Sequence, residues 1–126
     1  MIYGVGVDIV KIERMQKAVE KWGDRFLHRV FALREIAYCL QKKNPYPSLS
    51  ARFAAKEAFI KAMGFRVFSF TDIEIVNDVH GKPVIRGRGK VDALLREHSL
   101  QQPQVSLSHE QEYAVAVVVI ERELPG

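Results

Sequence analysis

The chain has 126 residues, of which 48% are hydrophobic and 27% charged, with 19 Lys and Arg against 15 Asp and Glu. That size and balance describe one folded domain, residues 1–126, and exclude a disordered chain or a catalytic domain joined to a separate partner module. The longest apolar run, Tyr113 to Ile120, is far short of the ~20 residues of a membrane-spanning helix, and the opening MIYGVGVD reaches Asp8 with no basic leader, so a cytosolic protein is expected. Residues 2 to 10 alternate as a strand, with Tyr3, Val5, Val7 and Ile9 on one face and Gly4, Gly6 and Asp8 on the other. The glycine face permits a close neighbour. From Lys11 to Trp22 apolar residues recur at helical spacing until Gly23 stops the run, and two more helical patterns cover 24–30 and 33–43. NPYPS then breaks the chain, and Ser48 or Ser50 is a candidate cap for a helix ending at Gly64. Beyond it the period changes to two. FTDIEIV and VIRG flank an HGKP turn, a last helix carries Val91, Leu94, Leu95 and His98, and QVSLSHEQEYAVAVVVIER forms two strands joined at 110–112. Helices early and strands late give an α+β fold, helices packed on a mostly antiparallel sheet.

The stretch ARFAAKEAFIKAMG, residues 51–64, is apolar on two sides. Ala51, Ala54, Ala55, Ala58, Phe59, Ala62 and Met63 form a broad face, with Leu49, Phe53 and Ile60 nearly opposite. Its charges fall into two seams, Arg52 with Lys56 and Glu57 with Lys61, each at i, i+4. The simplest reading of the second seam is a Glu57–Lys61 surface pair. Asp8, however, is a second carboxylate in apolar surroundings, and with Glu57 it makes a pair of hard oxygen donors suited to Mg²⁺, an ion that keeps its other positions for water and substrate phosphates. Cys39, the only cysteine, lies in a helical pattern and reads as a buried thiol.

GVGVDIVKIERM and RFAAKEAFIKAMG together resemble the 4′-phosphopantetheinyl transferases of the short holo-acyl-carrier-protein synthase class. The matching positions are Gly6, Asp8, Arg14, Lys56, Glu57, Ala58 and Lys61, supported by FTDIEI, HGKP and SLSHEQEYAVAVVVIE near the end. The resemblance implies that fold and the transfer of the phosphopantetheine arm of coenzyme A to a serine of apo acyl carrier protein, in support of fatty acid biosynthesis. It implies Asp8 and Glu57 as Mg²⁺ ligands, Lys61 as a catalytic residue that touches the transferring phosphate or handles a proton, and Arg52, Lys56, Gly81, Lys82, Pro83, Ser108 and His109 as coenzyme A contacts. It turns the basic first helix into a docking surface for the acidic carrier, through Arg14, Lys21 and Arg25. It further implies a homotrimer with sites at subunit boundaries, which would also cover a last strand that is apolar on both faces. GFRVF, His80 and Glu110 depart from the usual pattern in the loop after the helix, the hairpin and the segment after His109. Two rival classes remain, a small RNA-binding module and a non-catalytic adaptor that docks acyl carrier protein. The strands lack the aromatic residues interleaved with Lys and Arg that RNA binding calls for, so nucleic acid is not expected as a partner.

Overall fold

The computed structural model describes residues 1–64 and 69–124. In chain order it contains β1 (Ile2–Lys11), α1 (Ile12–Val30), α2 (Leu33–Leu40), α3 (Tyr46–Ala62), a single 3₁₀ turn (Phe70–Asp72), β2 (Ile73–Asn77), β3 (Pro83–Gly87), α4 (Gly89–Glu97), β4 (Gln104–His109) and β5 (Tyr113–Glu121). The α+β reading holds, with one refinement: the strands form two sheets, β1-β5-β4 and the β2-β3 hairpin, and every pairing is antiparallel.

Period two in β1 sets its two faces apart. Gly4, Gly6 and Asp8 point toward α3, while Val5, Val7 and Ile9 are exposed on the other side. The glycines are there because the helix backbone leaves no room. A Cβ at Gly4 would lie 2.0 Å from the carbonyl oxygen of Ala62, and one at Gly6 would lie 1.8 Å from that of Ala58. The helix answers with alanines at 54, 55, 58 and 62, all buried, so strand and helix meet backbone to backbone. This contact fixes how Asp8 stands relative to the charged seams of α3.

Gly23 adopts φ 61° and ψ −141° inside α1, a left-handed value that glycine takes without strain, and where the sequence reading places a stop the helical run continues past a kink to Val30. The start of α3 differs from expectation. The helix begins at Tyr46, where the Asn44 side chain accepts from the backbone N–H, and Ser48 and Ser50 are buried within it. Pro45 and Pro47 therefore stand at the helix entrance, where a missing N–H costs nothing, and no serine cap is needed.

One core lies between α3, the inner sheet face and the hairpin; a second gathers α1, α2 and the first half of α3 around Phe31, Cys39 and Leu49. Cys39 is fully buried, and burial pushes its thiol above the ordinary range, in keeping with an inert side chain. Residues 65–68, most of the GFRVF departure, lie outside the described residues.

Candidate active site

α3 is covered on one side by β1 and β5 and on the other by α1 and α2, so its two charged seams meet different surroundings. In the first seam Lys56 is 0% exposed. Its Nζ donates to Glu35 Oε1 at 2.8 Å and to the carbonyls of Phe70 and Ile73. All three ammonium protons are thus used inside the protein. Glu35 is equally buried and accepts in addition from the backbone N–H groups of Ala32 and Ile75. Burial pushes the Glu35 carboxyl up and the Lys56 ammonium down, against their mutual attraction. The expectation that Lys56 contacts coenzyme phosphates is corrected by this geometry, because the ammonium is enclosed and fully satisfied. It ties α3 to α2 and to the entry of β2.

Arg52 is 4% exposed, lies over the Tyr38 ring with its guanidinium carbon 4.3 Å from the centroid, and donates to Ser48 and Asn77. It does not reach Asp8 or Glu57. Its charge is placed under the base of the β2-β3 hairpin, since Asn77 pairs in register with Pro83.

The second seam opens onto a cleft of about 360 Å³ between β1, α1 and α3, lined by Asp8 and Glu57 together with Arg14, Met15, Phe26 and Phe53. Sequence distance had left the meeting of the two acids open; the fold brings them to one cavity. Lys61 does not form the simple surface pair with Glu57. Its Nζ sits 3.0 Å from Asp8 Oδ1 and 3.1 Å from the Val7 carbonyl. The Glu57 carboxyl is raised above the ordinary glutamate range, first by burial and then by the charge of Asp8, with Lys61 opposing both. Two carboxylates that face one open cleft suit a hard divalent cation. Among the described residues no group of three or more His, Cys, Asp or Glu could hold a metal, so such an ion would have two protein ligands and free positions for phosphate oxygens.

The other expected residues lie elsewhere. Gly81, with φ 83°, Lys82 and Pro83 form the hairpin turn, and Asp78 Oδ1 holds that turn by accepting from the N–H groups of His80 and Lys82. Ser108 lies on the outer face of β4, opposite Val115 and hence in line with Ile9. His109, next along, is exposed at the strand end. Within one chain neither the turn nor Ser108 lines the cleft of Asp8 and Glu57.

Arg14 borders the cleft, and α1 carries Lys21 and Arg25 on its exposed side. Lys21 lies over the Trp22 ring, and Trp22, Arg25, Phe26 and Arg29 line a shallow groove of about 200 Å³. Lys17 is taken up by a 2.8 Å pair with Glu13. Sequence reasoning missed Glu35, whose signal is an acid in the first turn of α2, and the apolar lining of the cleft by Phe26 and Phe53, for which helical spacing gave no sign.

A sequence model of the 4′-phosphopantetheinyl transferase superfamily matches residues 4–118. Among curated proteins, the holo-(acyl-carrier-protein) synthase of Halothermothrix orenii is 46% identical over 121 residues, covering 94% of this chain and 97% of that protein. The crystal structure of the holo-(acyl-carrier-protein) synthase from Neisseria meningitidis superposes with a TM-score of 0.90 at 36% identity, covering 97% of this chain and all (100%) of the other. That of Bacillus anthracis, in complex with CoA (3′,5′-ADP), gives a TM-score of 0.81 at 34% identity over 98% of this chain and 99% of the other.

Proposed function

The chain belongs to the 4′-phosphopantetheinyl transferase superfamily, and from that premise we infer that it is an enzyme that moves the phosphopantetheine arm of coenzyme A onto a serine of apo acyl carrier protein. The serine oxygen bonds to the phosphorus that carries pantetheine. The bond from that phosphorus to the bridging oxygen breaks, the serine proton is lost, and adenosine 3′,5′-bisphosphate leaves. The observation that carries this reading is the meeting of Asp8 and Glu57 at one cleft, with the Lys61 ammonium paired to Asp8 beside it, two carboxylates and a cation of the kind phosphate chemistry uses.

Mg²⁺ fits the donor set and would be held by Asp8 and Glu57. When bound, it supplies charge neutralisation to the pyrophosphate and its developing negative charge. Lys61, within reach of the same space, contributes a mobile positive charge to the transferring phosphate. The base of the hairpin, held by Arg52 through Asn77, presents Gly81, Lys82 and Pro83 to the nucleotide end of coenzyme A, with Ser108 and His109 as further contacts. Arg14, Lys21 and Arg25 receive the acidic carrier protein and bring its serine to the cleft.

These coenzyme contacts do not share one cleft in a single chain, and this favours a homotrimer whose sites form between subunits. A specific surface supports it. The outer face of the larger sheet exposes Val5, Val7 and Ile9 of β1 beside Val117 of β5, and Ser108 stands on that same face. A contiguous apolar sheet face of this kind marks a contact surface, and a neighbouring copy seated there would meet Ser108 directly. The setting is cytoplasmic fatty acid biosynthesis, consistent with the finding that, among the described residues, no helix is long and apolar enough to cross a membrane.

The test is direct. Incubation with apo acyl carrier protein, coenzyme A and Mg²⁺ should increase the carrier's mass by one phosphopantetheine, and omission of Mg²⁺ should prevent it. An unchanged carrier mass under complete conditions would leave only a docking protein.

A further inference from the structure

We propose that Lys61 is a tethered counter-ion that occupies the cation's place at Asp8 while the cleft holds no coenzyme, so that divalent cation and coenzyme A bind together and each strengthens the other. This rests on the reading of Asp8 and Glu57 as the cation's ligands.

The ammonium of Lys61 is held by two acceptors, Asp8 Oδ1 at 3.0 Å and the Val7 carbonyl at 3.1 Å. Lys61 also lies in the last turn of α3, where the free carbonyl ends of the helix favour a positive charge. The backbone on either side cannot yield, because Gly4 and Gly6 already touch the carbonyls of Ala62 and Ala58 as closely as glycine allows. Only the side chain is free to leave, and at 38% exposure it has room to do so. Asp8 is the more enclosed partner, at 18%.

A divalent cation arriving alone must therefore take an oxygen that already has a partner. The displaced ammonium finds Glu57 one turn away, but that carboxylate is the other ligand the cation needs. Cation binding alone thus gains two carboxylates and sacrifices an ion pair. With the pyrophosphate present, the ammonium receives a new anionic partner at the moment it loses Asp8. The two ligands are then positively coupled, and linkage requires the effect to be reciprocal. Lys61 acts here as a coupling device, separate from any help it gives to the transferring phosphate.

The experiment uses Mn²⁺ as the probe and the full chain as it stands, with bound and free Mn²⁺ separated by electron paramagnetic resonance. Wild type and Lys61→Met are titrated with and without coenzyme A, after subtraction of the Mn²⁺ that coenzyme A binds by itself. In the absence of coenzyme A, Lys61→Met should bind Mn²⁺ about three- to tenfold more tightly than wild type, the range that an exposed to half-buried ion pair supports. Coenzyme A should tighten Mn²⁺ binding in wild type, and that enhancement should shrink in Lys61→Met by a similar factor. Circular dichroism confirms the fold, and Lys61→Gln is read in the same way should the methionine variant aggregate. Equal or weaker Mn²⁺ binding by a folded variant overturns the proposal while leaving the carboxylate site standing. If Asp8→Asn binds Mn²⁺ as wild type does, the carboxylate reading itself fails and takes the proposal with it.

Discussion

The two charged seams of α3 contain the same chemistry, a lysine and an acid within reach, and have opposite fates. On one side Lys56 meets Glu35 and two backbone carbonyls in full burial, and nothing remains for a ligand. On the other, Lys61 meets Asp8 at the edge of a cleft, and Glu57 stays close by with a carboxyl that resists ionisation. A buried pair that is fully satisfied holds elements together, whereas a pair left partly satisfied and partly wet has capacity for a substrate. The difference lies in what completes each set of partners, protein on one side and solvent-accessible space on the other.

The strongest way to sharpen this contrast is to remove the open seam's acids. Asp8→Ala or Glu57→Ala should lower kcat for carrier modification by about a thousandfold or more, equivalent to ~4 kcal/mol of barrier, with the melting temperature little changed. Mass spectrometry of the carrier and a thermal melt measure the two effects. Full activity in either variant would falsify the metal assignment.

The closed seam should respond in the reverse sense. Lys56→Met leaves Glu35 as an uncompensated buried acid and should cost about 3–5 kcal/mol of stability by denaturant unfolding. Adding Glu35→Gln should recover part of that loss, since neutralising both partners removes the orphan charge. Molecules of either variant that remain folded should still modify the carrier. Loss of activity without loss of stability in Lys56→Met would break the comparison.

A smaller effect concerns pH. The Glu57 carboxyl is raised by burial and by Asp8, so in the window just above the ordinary carboxylate range the folded state holds a proton that the unfolded chain has released. Stability of the protein without metal should therefore fall slightly as pH rises through the ordinary glutamate range and just above it. Excess Mg²⁺ should offset the share of the fall that belongs to Glu57, and Glu57→Gln should reduce the fall, leaving the share of the buried Glu35 carboxyl. Melting temperatures across that range, with and without Mg²⁺, check the sign.

The smallest expected change is at the docking face. Arg25→Ala should weaken carrier binding about three- to tenfold at low salt, and the difference from wild type should shrink as ionic strength rises. Retention of the full difference at high salt would point to packing and not charge.

Much of this was legible in the sequence because it depends on short-range periodicity. Alternation in β1 separates Gly4, Gly6 and Asp8 from Val5, Val7 and Ile9, and the helical wheel of α3 places its alanines in the core and its charges in two seams. Gly23 marks its kink. What remained hidden depends on partners supplied from far along the chain. The enclosure of Lys56 needs the carbonyls of Phe70 and Ile73, and the cover of Arg52 needs Tyr38 and Asn77, none of which share a helical face with the residue they satisfy. The Asp8–Lys61 pair likewise joins residues 53 positions apart. The division into two sheets escaped the sequence because alternation identifies a strand without naming its neighbour.

The backbone contact at Gly6 carries a lesson for anyone who maps this protein by random mutagenesis. An added methyl group there cannot be absorbed by a rotamer change, since the obstacle is the carbonyl of Ala58; strand and helix must separate, and Asp8 moves with the strand. A screen that reads only carrier modification will therefore score Gly6 alongside the acids, although glycine has no side chain to offer a substrate. Sensitivity to substitution would then report the spacing of a scaffold, and a chemist designing inhibitors from such a map would be led to an atom that no ligand can touch.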